Sequence, residues 1–308
     1  MKTPLSTLLF LTFITGCATV YNPATNKQEF VFIDTKAEVS LGKIVNSNIA
    51  RDYKISEDPA FNQRVKSIGK KITLVCDRRD LEYKFSVVED KELNAFSLPG
   101  GFVYVNTGLL NKANDDELAG VMAHEIGHIV ARHSVKQLQL ALGLNIVMAV
   151  AFNKSSAADL SSAVNVVYNL ISLGYSRGDE RQADKLGVIY THKAKYNPYG
   201  MVTFFDKLKQ EEKDNGVGNI PVFLRSHPTI EERIKNIKTE IKLQETLKPK
   251  AIETVNNPSV ADLSWGSSDN QANSNTSLAI TRKMCPTCKR VFSGKDNFCP
   301  DDGYRLVF

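Results

Sequence analysis

Asn114-Asp115-Asp116-Glu117-Leu118, leading into His124-Glu125-Ile126-Gly127-His128, is the stretch from which the rest of this chain can be read. Asn114 can cap a helix, Glu117 stands at the capping-box position, and Asp115 and Asp116 suit the positive end of the helix dipole. The pattern predicts a helix that continues to about Leu142. On such a helix, residues four apart sit about 40° apart around the axis, so both imidazoles can face one ion. Glu125 projects from the same general side, where it can act on water at the ion instead of binding the ion. Ala119, Val121, Met122 and Ile129 flank the pentad with apolar bulk, and small Gly127 lies between the histidines. Two histidines and a glutamate at this spacing point to zinc, which lowers the pKa of water and polarises a carbonyl. The bland alternative is an amphipathic helix that happens to carry two histidines.

A catalytic zinc needs a third protein ligand and an open position. Glu180-Arg181-Gln182-Ala183-Asp184 contains a candidate. In helical geometry Glu180 and Asp184 share a face, so Glu180 can join the histidines while Asp184 accepts a hydrogen bond from a ligand histidine's second nitrogen. Taken alone, the pair reads better as a solvated acidic face.

Four further segments, in order, carry a resemblance: Asn94-Ala95-Phe96-Ser97-Leu98-Pro99-Gly100-Gly101; Thr107-Gly108-Leu109-Leu110; Arg132-His133 after the pentad; and Tyr175-Ser176-Arg177 leading to Glu180 and Asp184. Together they resemble the CAAX-prenyl-endopeptidase-like and HtpX-like zinc metalloproteases, over about Glu38 to Lys242, and within them the soluble periplasmic lipoprotein branch. The resemblance implies Glu180 as third ligand, Asp184 as its support, and peptide-bond hydrolysis with Glu125 as general base. It also implies that Phe102, Val103, Tyr104, Val105 and Asn106 form the edge strand that pairs with extended substrate. An edge strand holds a peptide by its main chain and tolerates many side chains, which favours internal cleavage. Members of that branch carry helical repeats after the catalytic domain; none is expected in the 308 residues here, so a role in outer-membrane protein assembly does not come with the resemblance.

His227, in Ser226-His227-Pro228, is the remaining histidine of interest. The following proline restrains it to extended backbone, so it is presented from a loop. Pro228 before a helix can be ordinary punctuation. The resemblance, in which the His-Pro loop lies near the metal, leaves two roles open: a donor to the oxyanion, or a removable fourth ligand that plugs the site, the latter preferred. His133, nine residues beyond His124, points to the opposite side of a continuous helix. His192 reads as a surface residue, and Arg177 as a salt-bridge partner.

The flanks suggest export. Met1-Lys2, an apolar run Leu8 to Ile14, and Ile14-Thr15-Gly16-Cys17 resemble a lipoprotein signal over 1–16, with lipidation on Cys17. A polar tether is expected over 17–29. Ala18 after the cysteine favours an outer-membrane address facing the periplasm. Leu138 to Asn153 lacks charge and is read as core, with a lid over the site or a membrane-touching segment as alternatives. Ile230, Ile234, Ile237 and Ile241 mark a closing amphipathic helix. An Asn/Ser/Ala-rich linker spans 249–281. Beyond it, Cys285-Pro286-Thr287-Cys288 and Cys299-Pro300-Asp301-Asp302 resemble a zinc ribbon in which Asp302 replaces the fourth cysteine. Disulfides that enlist Cys76 are the competing account.

The net charge of +5 over 308 residues, without basic blocks, gives no reason to expect nucleic acid as a partner. The expected fold class is α+β. A mainly helical zincin of gluzincin type, with a small sheet, would occupy 30–248, followed by the ribbon-like module at 282–308. One catalytic Zn2+ is expected, and a second, structural one in the ribbon. The expected substrates are unfolded or misassembled envelope proteins; a non-proteolytic chaperone that retains the fold is the alternative.

Overall fold

The computed structural model describes residues 19–151, 154, 156–214, 221–227, 230–246, 282–284 and 291–293. The chain divides into two compact units, 1–251 and 252–308. In the first, a hairpin of β1 (Thr19–Asn22) and β2 (Lys27–Phe30) precedes α1 (Thr35–Asp52) and α2 (Pro59–Thr73). A three-stranded sheet follows: β3 (Lys84–Val88), β4 (Ala95–Leu98) and β5 (Phe102–Asn106). The remaining helices are α3 (Thr107–Lys112), α4 (Asp115–Val130), α5 (His133–Ala151), α6 (Ala157–Leu173), α7 (Arg177–Lys193), α8 (Gly200–Asp214), α9 (Val222–Ser226) and α10 (Ile230–Thr246). In the second unit, β6 (Arg282–Met284) pairs antiparallel with β7 (Val291–Ser293).

Alternation along the strands sends side chains to two cores. Val87, Ala95, Val103 and Val105 join a cluster with residues of α2, α4, α7, α8 and α10. Val88, Phe96, Leu98, Phe102 and Tyr104 join another with residues of α1, α5 and α6. The sheet therefore lies between two helical layers, and its five-residue strand β5 is buried throughout.

The strand order is β3-β5-β4. β5 pairs with β3 in parallel and with β4 in antiparallel, so Phe102–Asn106 is the central strand and its backbone is already used. The expectation that it is the substrate edge is overturned, because alternation reveals faces but not the order of strands. The edge next to α4 belongs to β4. The β4–β5 turn uses Gly100 and Gly101 at φ 79° and 99°, a region that side chains disfavour.

Two other expectations are corrected. The predicted continuous helix to Leu142 stops at Val130, and Arg132 turns left-handed at φ 56° before α5 begins. Its guanidinium is held by Ile33 O at 3.0 Å and by buried Glu38 at 3.3 Å, contacts that offset the unfavourable backbone and re-aim the chain. Residues 19–30 form a docked hairpin, although 17–29 are expected as a polar tether. Ala24 enters the core, Lys185 donates to its carbonyl at 2.8 Å, and Glu29 pairs with Lys136.

Leu138, Val147 and Val150 of the charge-free segment are buried against α6, as core residues. Among the described residues no helix is long and apolar enough to cross a membrane. Cys76 is a free, fully buried thiol beside Tyr83 and the carbonyls of Thr73 and Arg78, away from solvent-borne pairing. Cys17, Cys285, Cys288, Cys299 and Asp302 lie outside the described residues.

Candidate metal centre

α4 has the local structure its sequence predicts. Asn114 accepts from Glu117 N at 3.0 Å while Glu117 returns to Asn114 N at 2.8 Å, closing the capping box. One turn of helix separates His124 from His128. α7 starts at the Ser176 cap and crosses α4 at very short range. A Cβ on Gly127 would stand 2.9 Å from the Ala183 carbonyl oxygen, so only hydrogen fits there. That close crossing delivers Glu180 to the histidines. α9 then delivers His227, whose N–H donates to Phe223 O at 2.8 Å.

One donor atom each from His124, His128, Glu180 and His227 lies within 4.8 Å of the others, and all four residues are buried. His124 Nε2 is 3.0 Å from His128 Nε2, 3.3 Å from His227 Nδ1 and 3.5 Å from a Glu180 oxygen. His128 Nε2 is 3.3 Å, and His227 Nδ1 3.0 Å, from Glu180 Oε1. Donors about 2.0–2.1 Å from a tetrahedral zinc would stand about 3.3–3.4 Å from one another. These separations, from a nitrogen- and oxygen-only set turned inward, fit such an ion.

Outside this ring, each α4 histidine has its own support. His124 Nδ1–H donates to Asp184 Oδ1 at 2.9 Å. Asp184 in turn accepts from Arg233 Nη2 at 2.6 Å and from Nε at 2.8 Å, and Arg233 Nη1 reaches Glu180 at 3.1 Å. His128 Nδ1 faces His133 Nδ1 at 2.9 Å, and the Tyr175 ring stacks on His128 with centroids 4.1 Å apart. His133, expected to point away, comes alongside because the helix breaks at Arg132.

Burial governs the electrostatics. It lowers the His124 imidazole pKa to about 3, with Arg233 adding to the effect, so this ring is neutral and ready to ligate. Burial pushes Glu180 and Asp184 upward. Nearby cations and ring nitrogens outweigh it: His227 and Arg233 hold Glu180 well below the usual carboxylate range, and Arg233 lowers Asp184. Arg233 itself is raised despite burial by Asp184 and Glu180.

Glu125 differs from the other two carboxylates. Burial raises it to about 7, against the pull of His128 and a hydrogen bond from Ser97 Oγ at 2.9 Å. Its Oε1 has no hydrogen-bond partner among the described residues, with His227 Nε2 nearest at 3.5 Å. It borders a cavity of about 10 Å³ lined by Phe96, Ser97, Leu170, Ile171, Tyr175 and His227. That is room for about one water beside a carboxylate with a free oxygen.

Sequence reasoning missed Arg233, Ser97 and the contact of His133. Arg233 had a readable signal: a cation on the apolar face of a helix, between Ile230 and Ile237. Ser97 had none.

A sequence model described as Peptidase family M48 matches residues 59–241, more than half of the chain. The chain belongs to peptidase family M48. Mitochondrial metalloendopeptidase OMA1 of Schizosaccharomyces pombe is 28% identical over 226 residues, covering 71% of this chain and 65% of that protein. The beta-barrel assembly-enhancing protease of Escherichia coli K12 is 25% identical over 214 residues, 65% of this chain and 43% of that protein. Metalloprotease LoiP of the same strain is 28% identical over 193 residues, 61% and 74% respectively. This M48 chain thus spans less than two thirds of OMA1 and of the assembly-enhancing protease. The matched region contains every residue of the donor ring.

Proposed function

We propose that this M48 chain is a zinc-dependent endopeptidase of the bacterial envelope. The observation that carries the reading is the ring of four inward-turned donors with Glu125 beside it, its carboxylate raised to about 7 and one oxygen unpaired. His124, His128 and Glu180 would hold the ion. Zinc bound there lowers the pKa of water and polarises the scissile carbonyl. Glu125 takes the proton and passes it to the leaving amine, and Ser97 fixes the angle of its carboxylate. His227 Nδ1 lies 3.3 Å from His124 Nε2 and 3.0 Å from Glu180 Oε1, close enough to serve as a fourth donor, which favours the plug over the oxyanion donor; it would have to swing aside for substrate.

Substrate would add a strand to the outer edge of β4, Ala95–Leu98, which runs past Glu125 at Ser97. Main-chain pairing selects extended, unfolded segments, in keeping with a role on unfolded or misassembled envelope proteins. Relatives named beta-barrel assembly-enhancing protease support that address. Cys17 would carry the lipid anchor, on a membrane facing the periplasm. In the second unit, Cys285, Cys288, Cys299 and Asp302 would bind a structural zinc; the first two fall, in sequence, between paired strands β6 and β7.

Casein digestion by the parent, by the parent with chelator, and by Glu125→Gln tests the central claim. The parent alone should be active, and Glu125→Gln should keep its zinc while turnover falls about 10²- to 10⁴-fold. A parent inactive with zinc bound, or a Glu125→Gln variant as fast as the parent, would refute it. Cys17→Ser should abolish labelling by a fatty-acid probe and release the protein from membranes.

A further inference from the structure

The two ring nitrogens of His128 face different neighbours. Nε2 belongs to the donor ring, and Nδ1 faces His133 Nδ1 at 2.9 Å. A neutral imidazole that offers one nitrogen's lone pair to a metal keeps its proton on the other. With His128 a ligand, as the proposed function has it, Nδ1 is the donor and His133 Nδ1 must accept. The proton of His133 then sits on Nε2, which donates to Gln182 Oε1 at 3.3 Å, with Asp179 Oδ1 next at 3.5 Å.

Gln182 Oε1 has a second donor. Asn22 Nδ2 reaches it at 2.7 Å from the β1–β2 hairpin, 160 residues away in sequence. Asn22 is itself oriented on both sides: its amide nitrogen also donates to Glu29 Oε1 at 2.8 Å, and its Oδ1 accepts from Ala24 N at 2.9 Å. Flipping either amide would set donor against donor. The chain of bonds therefore runs in one sense only, from hairpin and ligand toward a shared acceptor. Asn22 and His133 are buried, at 2% and 0% exposure, where an unmatched donor costs more than at the surface.

We infer that the N-terminal hairpin is a built-in part of the metal site: Asn22, through Gln182 and His133, fixes the tautomer and ring angle of His128. All three are positioning residues that touch neither ion nor substrate. Outer partners of this kind change metal affinity about 10- to 100-fold.

The test is zinc affinity, measured on the full chain by competition with a chromophoric chelator, for the zinc that a His124→Ala variant fails to bind. Gln182→Leu removes the shared acceptor and should weaken binding at least about tenfold. Gln182→Glu keeps an acceptor for both donors and should bind like the parent. Asn22→Ala should weaken binding several-fold, and ¹⁵N spectra of histidine-labelled protein should show the Nδ1–H form of His128 in the parent and a mixture in Gln182→Leu. Parent affinity in Asn22→Ala or in Gln182→Leu overturns the inference, as does equal weakening by Leu and Glu, which would mean packing alone. A parent that binds no zinc lost in His124→Ala brings down the proposed function and this inference together; parent-like variants of a zinc-binding parent bring down only the inference.

Discussion

His124 and His128 stand one turn apart on the same helix, and opposite kinds of partner hold them. His124 leans on an ion-paired carboxylate, Asp184, locked by two nitrogens of a fully buried arginine. His128 leans on a neutral series of ring and amide groups that ends in the N-terminal hairpin. Both supports pass through α7, which supplies Asp184 to one and Gln182 to the other. Buried charges stay harmless only while paired, whereas a neutral bond lost from a buried chain costs the desolvation of one group. The charged support should therefore fail abruptly and the neutral one by degrees.

The largest effect should come from Arg233→Met. It leaves Asp184 and Glu180 as buried carboxylates without their guanidinium, so stability should fall about 3–5 kcal/mol in urea unfolding of the zinc-free chain. Gln182→Leu in the same assay should cost about 1–3 kcal/mol. If the two variants lose equal stability, the contrast between charged and neutral support is broken.

Gly127→Ala comes next and strikes both supports together. Its methyl would meet the Ala183 carbonyl at 2.9 Å and push α7 away from α4, for about 1–3 kcal/mol and a weaker hold on zinc. A calorimetric midpoint equal to the parent's would show that the crossing has slack.

His227→Ala removes the fourth donor and neither support. Cleavage of an unstructured peptide should rise several-fold; a fall worth about 2.7–4 kcal/mol of barrier would instead assign His227 to the oxyanion. The smallest effect belongs to a chain ending at Leu247. Among the described residues, no donor or support of the centre lies beyond Arg233, so the shortened chain should keep the zinc that His124→Ala loses and hydrolyse a small peptide as fast as the full chain.

The site was legible where its logic is local. The i, i+4 histidines and the Asn114–Glu117 box depend on helical geometry alone; the same geometry puts Glu180 and Asp184 on one face, but only the family resemblance tied them to the histidines. Arg132 and His133 were misread because a left-handed residue ended α4 early. That break rests on contacts with Ile33 and with Glu38, 94 residues upstream. The edge strand was misplaced for a related reason. β3 and β5 are parallel and come together past β4, and no alternation in either strand records that.

Taken by itself, the sequence determined which residues can share a helix face, because the 3.6-residue repeat converts spacing directly into direction. It determined in this way that His124 and His128 face one point and that Glu125 stands beside them. Tertiary structure alone decided that β4 is an edge strand and β5 is not, that Arg233 locks Asp184, and that a hairpin near the N-terminus bonds to Gln182, the partner of the histidine beside His128. Those outcomes depend on which buried polar groups find partners across separations of up to 160 residues, a matching that burial enforces and spacing cannot express.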